Sequence, residues 1–177
     1  MAILGVDDFK SKLTGGGARS NLFKVEMGWP VGIGGAADTE VGAFLIKAAQ
    51  LPSSVIAPIT VPFRGRQMQI AGDRTFEPWT ITIINDTNFA LRNAFERWMN
   101  LINNHNTNTG STDTVDYFAD AAVYQLDKNG TELKKYSFRG IWPSNVSTIE
   151  VSFDTENAIE EFTVELQVQY WESDTTS

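Results

Sequence analysis

The chain has no cysteine and a single histidine, His105, among its 177 residues. Without thiols there is no disulfide, no thiolate metal site and no cysteine nucleophile. A zinc site would have to be assembled from His105 and carboxylates, an uncommon donor set. His105 falls just past a helical pattern, where a partial positive charge is favoured, so neither a metal nor a cofactor is expected. No apolar run approaches the ~20 residues of a membrane span. The N-terminus, Met1-Ala2-Ile3-Leu4-Gly5-Val6-Asp7-Asp8, places no basic region ahead of an apolar one, so no signal peptide is expected. On that ground the Asn-x-Ser/Thr triplets at Asn85, Asn129 and Asn145 are read as chance. Basic residues are also scarce: 14 Lys and Arg face 22 Asp and Glu, for a net charge of −8. A tight, non-specific grip on nucleic acid needs a basic surface, and this composition argues against one.

Catalytic motifs are missing as well. Residues 32–37 fit G-x-G-x-x-A, but a dinucleotide site needs a helix there and a carboxylate about 20 residues on. The following stretch reads as extended, and the later position is apolar or proline, so a loop is expected. Glu160 and Glu161 are adjacent, and neighbours on a strand point to opposite faces, so they do not converge as an acid–base pair. No nucleophile elbow is present. Arg64, Arg66 and Arg74, close to Phe63 and Phe76, read as edge-strand or subunit-contact charges rather than a nucleic-acid patch. No enzyme is expected.

What is present is β-patterned, with 42% apolar residues, enough for one domain with a real core. Residues 1–20 read as an extended arm broken at Gly15-Gly16-Gly17. Phe23, Val25 and Met27 alternate with Lys24 and Glu26 as in a half-buried strand. Trp79, Ile81 and Ile83 alternate with Thr80 and Thr82. Residues 85–88 supply helix-capping chemistry, and the spacing of Leu91, Phe95, Trp98 and Ile102 predicts a helix over 89–103. Residues 121–126 and 133–141 predict a hairpin joined through Asn129-Gly130, with a break at Trp142-Pro143. Residues 148–153 read as a further strand with Ile149, Val151 and Phe153 inward. The cleanest alternation runs from Glu161 to Tyr170, and a polar tail follows over 172–177. About eight strands and one helix make a mainly β protein: an antiparallel β-barrel or sandwich with one flanking helix and an extended hairpin, in a single domain over 1–177.

Residues 41–63 do not fit inside such a barrel. They are apolar on both alternating faces in places, yet carry Pro52, Pro58 and Pro62, which fit an edge strand or projecting hairpin. Left bare they are an aggregation hazard, and a second chain is the natural cover. The candidate contact residues are Phe44, Ile46, Leu51, Pro52, Val55, Ile56, Ile59, Val61, Phe63, Arg64 and Arg66.

These residues also carry a resemblance. Phe44-Leu45-Ile46-Lys47-Ala48-Ala49-Gln50-Leu51-Pro52, Phe63-Arg64-Gly65-Arg66, Gly72-Asp73-Arg74 with Phe76-Glu77-Pro78-Trp79, Asn93 to Asn100 and Tyr136 to Pro143 resemble the tail tube proteins of T4-like myophages. The resemblance covers about residues 20–171. It implies hexameric rings of this chain stacked into a hollow tube, with the hairpin (41–63) and the arm (1–20) reaching the next ring. It implies as partners a tail sheath, a tape-measure protein, baseplate and tail terminator proteins, and DNA passing through without specific binding. The location implied is the virion tail, assembled in the host bacterial cytoplasm, with no membrane. Glu150, Glu161 and Glu165, opposite apolar faces, are candidates to line the channel and keep phosphate from sticking. Two alternatives stay open: a tube subunit of a type VI secretion system or contractile bacteriocin and, from another class, a monomeric ligand-binding β-barrel.

Overall fold

The computed structural model describes residues 5–13, 15 and 17–176. Its centre is a seven-stranded antiparallel sheet. The strands are β1 (Phe23–Met27), β2 (Ile46–Ala49), β5 (Trp79–Ile84), β6 (Ala119–Leu126), β7 (Glu132–Val146), β8 (Glu161–Gln167) and β9 (Tyr170–Ser173). They run in the order β1-β6-β7-β8-β5-β2, and β9 also pairs with β7. A separate two-stranded sheet is formed by β3 (Ser54–Phe63) and β4 (Arg66–Phe76). Three helices accompany them: α1 (Val6–Lys12), α2 (Ala36–Leu45) and α3 (Ala90–Ile102).

Strand β7 joins the two halves of the sandwich. Its first part pairs with β6 and β9, and from Trp142 onward it pairs with β8. The chain bends between these parts at Gly140, which sits at φ +60 with its N–H donated to the Asp120 carboxylate at 3.1 Å. A β-carbon there would lie 2.8 Å from the Gln169 side chain, so glycine is required for both conformation and space. The expected break at Trp142-Pro143 is therefore not a break: the strand runs on to Val146 and changes partner.

The inner faces of both halves meet α3 in one core. Val25, Met27, Val123 and Phe138 come from one half, and Trp79, Ile81, Ile83, Phe162, Val164 and Leu166 from the other. Trp79 stacks on Phe138 with ring centroids 4.3 Å apart, which ties the halves together. Helix α3 contributes Leu91, Phe95 and Trp98, the stripe its 3–4 spacing predicts, and Trp29 packs edge-on against Phe95 and Trp98 at 5.0 and 5.7 Å. The Trp98 indole N–H donates to the Tyr117 carbonyl at 2.8 Å, so its polar atom is satisfied. At the N-terminus of α3 the Asp86 carboxylate accepts the Ala90 N–H at 2.9 Å.

Several sequence expectations change. Residues 41–45 are not extended but end helix α2, which packs on β1 and α3 with Gly42 against Leu91. Their apolar positions Val41 and Leu45 are four apart and share the half-buried face, whereas Phe44 is 80% exposed. The helix that a dinucleotide motif requires thus does follow residues 32–37, although the carboxylate it requires about 20 residues on is still missing from the sequence. The arm holds a short helix, α1, rather than an extended chain. Asp8 and Lys12 suit its two ends, and the Asp8 carboxylate accepts the Gly5 N–H at 3.1 Å. Residues 1–4, 14 and 16 of that arm, and Ser177 of the tail, lie outside the described residues. Residues 148–153 form no strand: Val151 and Phe153 are exposed in a long loop, and only Ile149 leans on the core. The last alternation ends at Gln167, and the chain turns so that Tyr170–Ser173 pairs with Tyr136–Arg139, bringing Glu172 and Ser173 of the expected tail into the sheet.

Two measurements test this core. Trp98→Ala is expected to cost about 3–5 kcal/mol in urea unfolding, because it removes a fully buried ring and orphans the Tyr117 carbonyl. On the outer face, hydrogen bonds from Lys24 and the Tyr124 hydroxyl hold Glu26 below its ordinary carboxyl value. Its contribution to stability is present above that ordinary value and is lost as the pH falls through the lowered one. The stability gap between wild type and Glu26→Gln is therefore expected at pH 7 and to vanish at strongly acidic pH.

Candidate assembly surface

The hairpin β3–β4 is a regular ladder closed by a tight turn. Phe63 pairs with Arg66, and the two turn residues Arg64 and Gly65 have φ of 46 and 79. Two positive-φ residues make a type I′ turn, the kind whose twist matches paired strands. Arg64 accepts this conformation with its guanidinium 5.3 Å from the Phe63 ring centroid.

Register determines which face each residue takes. Residues directly opposite share a face, so Ile59 with Ile70, Val61 with Met68, and Phe63 beside Arg66 form one side. The other side carries Thr60 opposite Gln69, bonded at 3.0 Å, and Pro62 opposite Gln67. Val55, Ile56, Ile59, Phe63, Met68 and Ile70 are 45–65% exposed. A ladder register shift lies between Ile56 and Pro58, where proline has no N–H to give. The result is an amphipathic ribbon, apolar on one side, standing outside the sandwich core.

Its base is anchored by two indoles. Trp79 donates to the Gln50 carbonyl at 2.8 Å, and Trp171 donates to the Ser53 carbonyl at 3.0 Å. The Trp171 ring also meets Phe76 edge-on at 6.2 Å and Tyr136 at 5.8 Å. Sequence reasoning placed the hairpin at 41–63. The structure pairs β3 with the following strand instead, so the ribbon is Ser54–Phe63 with Arg66–Phe76, and Met68 and Ile70 join it. The alternation of Met68 and Ile70 with Gln67 and Gln69 was the available signal for that second strand.

The contact candidates divide accordingly. Val55, Ile56, Ile59, Val61, Phe63, Arg64 and Arg66 all lie on the ribbon and are exposed. Leu51 is exposed and Pro52 half-buried in the link to β3, and Phe44 is exposed on α2. Ile46 is corrected: at 6% exposure it pairs with Ile83 inside the core and has nothing left to offer a neighbour. Exposed Val6 and Phe9 on α1, which sequence reasoning passed over, add a second small apolar stripe.

The acidic candidates do not form one group. Glu161 and Glu165 stand on the outer, polar face of β8, Glu161 paired with Lys47 at 2.6 Å and Glu165 opposite Thr80. Glu150 lies on no strand. It faces, with Glu160 and Glu161, a surface hollow of about 490 Å³ under the 147–160 loop.

Comparison with known proteins adds to this geometry. Residues 18–174 match the family described as phage tail tube protein. The tail tube protein gp19 of Enterobacteria phage T4 is 32% identical over 169 residues, covering 94% of this chain and 99% of that protein. The tail tube protein of Serratia phage KSP90 is 29% identical over 164 residues, covering 92% and 93%. In fold, the chain is similar to a chain of the anti-feeding prophage tube-terminating cap structure, with a TM-score of 0.66 at 15% identity over 90% of this chain and 91% of that one. It is also similar to a chain of the sheath–tube complex of the extracellular contractile injection system PVC in its extended state, with a TM-score of 0.58 at 12% identity over 96% and 97%.

The anchoring at Trp171 is open to test. Trp171→Ala is expected to raise the initial rate of tryptic cleavage after Arg74, at the hairpin base, several-fold, while cleavage after Lys24 in β1 and Arg97 in α3 stays as in wild type. Equal rates at Arg74 in both proteins would show that the indole does not hold the ribbon.

Proposed function

The chain belongs to the phage tail tube protein family, a structural subunit of a contractile phage tail, and from that premise we propose that it forms stacked hexameric rings enclosing the channel for genome ejection. The observation that carries the reading is the exposed apolar ribbon β3–β4, on a chain whose likeness to tail tube proteins runs from 18 to 174. A ribbon of this kind, bare on one apolar side, is suited to lie against a second copy and not to face water. The arm with α1 offers a second contact of the same sort. Sheath, tape-measure, baseplate and terminator proteins are the partners that fit a tube subunit, and the virion tail is its place, after assembly in the host cytoplasm.

The role is structural rather than catalytic. The outer face of β5 and β8, with Thr80, Thr82, Thr163, Glu161 and Glu165, is polar and regular, and it suits a channel wall past which DNA moves. Its carboxylates repel phosphate, so no chain of ionic contacts stalls the passage. Glu150 is not part of this wall, because it sits in a loop. The interior of the sandwich is filled by Trp29, Trp79, Phe95, Trp98 and Phe138, which favours a packed building block over a ligand-binding barrel.

Electron microscopy of the purified protein over a range of concentrations, with and without a baseplate to nucleate it, tests the reading. Rings and tubes of uniform diameter are expected. A monomer under every condition would overturn it. Replacing residues 57–72 by a two-residue turn is expected to leave the near-ultraviolet signal of the buried tryptophans intact and to stop growth beyond single rings. Loss of that signal would show that the ribbon is part of the core.

A further inference from the structure

The hairpin leaves the sheet at one end of β5, and the 147–160 loop leaves it at the other. Trp79, just after the hairpin, pairs with Leu166, while Ile84 at the far end pairs with Glu161, and Asn85 donates its N–H to the Glu160 carbonyl at 2.9 Å. The β5 ladder between them is about 17 Å long at ~3.3 Å per residue. These two bare features are therefore on opposite ends of the same half-sheet.

Their chemistry is complementary. The hairpin tip, residues 58–71, carries Arg64 and Arg66 and no carboxylate. Neither arginine has a carboxylate partner among the described residues. The loop is the reverse. After Arg139 the sequence has no lysine, arginine or histidine, and the carboxylates beyond that point account for the whole net charge of −8. Within the loop Glu160 is engaged by the Asn85 amide at 3.0 Å and, just past it, Glu161 by Lys47 at 2.6 Å. Glu150, Asp154 and Glu156 have no cationic partner among the described residues. Both elements also bare large apolar groups. Phe63 is 65% exposed on the tip, and Val151, Phe153 and Ile159 are 79%, 107% and 71% exposed on the loop.

We propose that the 147–160 loop of one copy is the receptor for the hairpin tip of the next copy, Arg64 and Arg66 meeting Glu150, Asp154 and Glu156 around an apolar contact of Phe63 with Phe153. The proposal rests on the tube-subunit reading and names the surface that the hairpin meets. A tip at one end and its receptor at the other make a heterologous contact, which builds along one axis when the rotation between copies does not close a ring. Long-range attraction between the basic tip and the acidic loop also orients incoming subunits and weakens with added salt.

A charge exchange in the full chain tests this. Arg64→Glu with Arg66→Glu, and separately Glu150→Lys with Asp154→Lys and Glu156→Lys, are each expected to raise the subunit concentration for half-maximal tube formation about tenfold or more, because like charges then meet. The chain carrying all five changes is expected to return to within about threefold of wild type. As a second reading, Phe63→Cys with Phe153→Cys in this cysteine-free chain is expected to give an intermolecular disulfide ladder on oxidation of assembled tubes. Unimpaired assembly of both charge sets overturns the proposal, as does a five-change chain no better than its parents together with no ladder. Either leaves the tube reading standing, whereas a wild-type chain that forms no tube overturns both.

Discussion

A two-stranded ribbon is marginal in water on its own, and the behaviour of this chain turns on that constraint. The β3–β4 ladder is paired along its length apart from the shift between Ile56 and Pro58, and its turn is well chosen. What it lacks is a surface for the side formed by Ile59, Ile70, Val61, Met68 and Phe63. At about 25 cal/mol per Å² of apolar area removed from water, covering such side chains outweighs any single surface ion pair. The folded subunit is covered in its sandwich and bare on one side of its ribbon, and the proposed assembly would supply that cover from another copy.

The sandwich supplies the rigidity that makes such a projection useful. A single long strand, β7, belongs to both halves, and the Trp79–Phe138 stack closes the seam between them. The same Trp79 donates its indole N–H to the Gln50 carbonyl in the link that leads into β3, so the residue that closes the seam also fixes where the ribbon departs. Trp171 repeats the device from β9 through the Ser53 carbonyl. The ribbon is thus held at its base by the core and left free at its tip, and the polar outer face of β8, with Glu161 and Glu165, is carried by the same framework.

Periodicity revealed those elements that bury one face. Phe23-Val25-Met27, Trp79-Ile81-Ile83, the α3 stripe and Phe162-Val164-Leu166 were all legible, because a half-buried strand or helix repeats its apolar residues at a fixed interval. Residues 41–51 were not, because a nearly continuous apolar run, interrupted only by Lys47 and Gln50, fits a helix and a strand equally. Only tertiary packing of Gly42 against Leu91 and of Ile46 against Ile83 separates helix α2 from strand β2. Val151 and Phe153 misled in the opposite sense, their alternation mimicking a buried strand on residues that face solvent. For the surface, the prolines and the bare apolar residues of β3 marked the right strand, but its partner followed it in sequence instead of preceding it. Glu161 and Glu165 were legible as a strand face, whereas Glu150 was misplaced, because the Ile149-Val151-Phe153 alternation around it mimics a strand that does not form.

The central claim is that the ribbon is completed by another copy of the chain. Amide hydrogen exchange, compared residue by residue between dissociated subunits and assembled tubes, reads this directly. Strong new protection is expected along β3 and β4 and in the 147–160 loop on assembly, with β6 and β7 unchanged because they are already buried. Equal exchange of β3 and β4 in the two states would mean that the ribbon stays bare in the tube and would contradict the account.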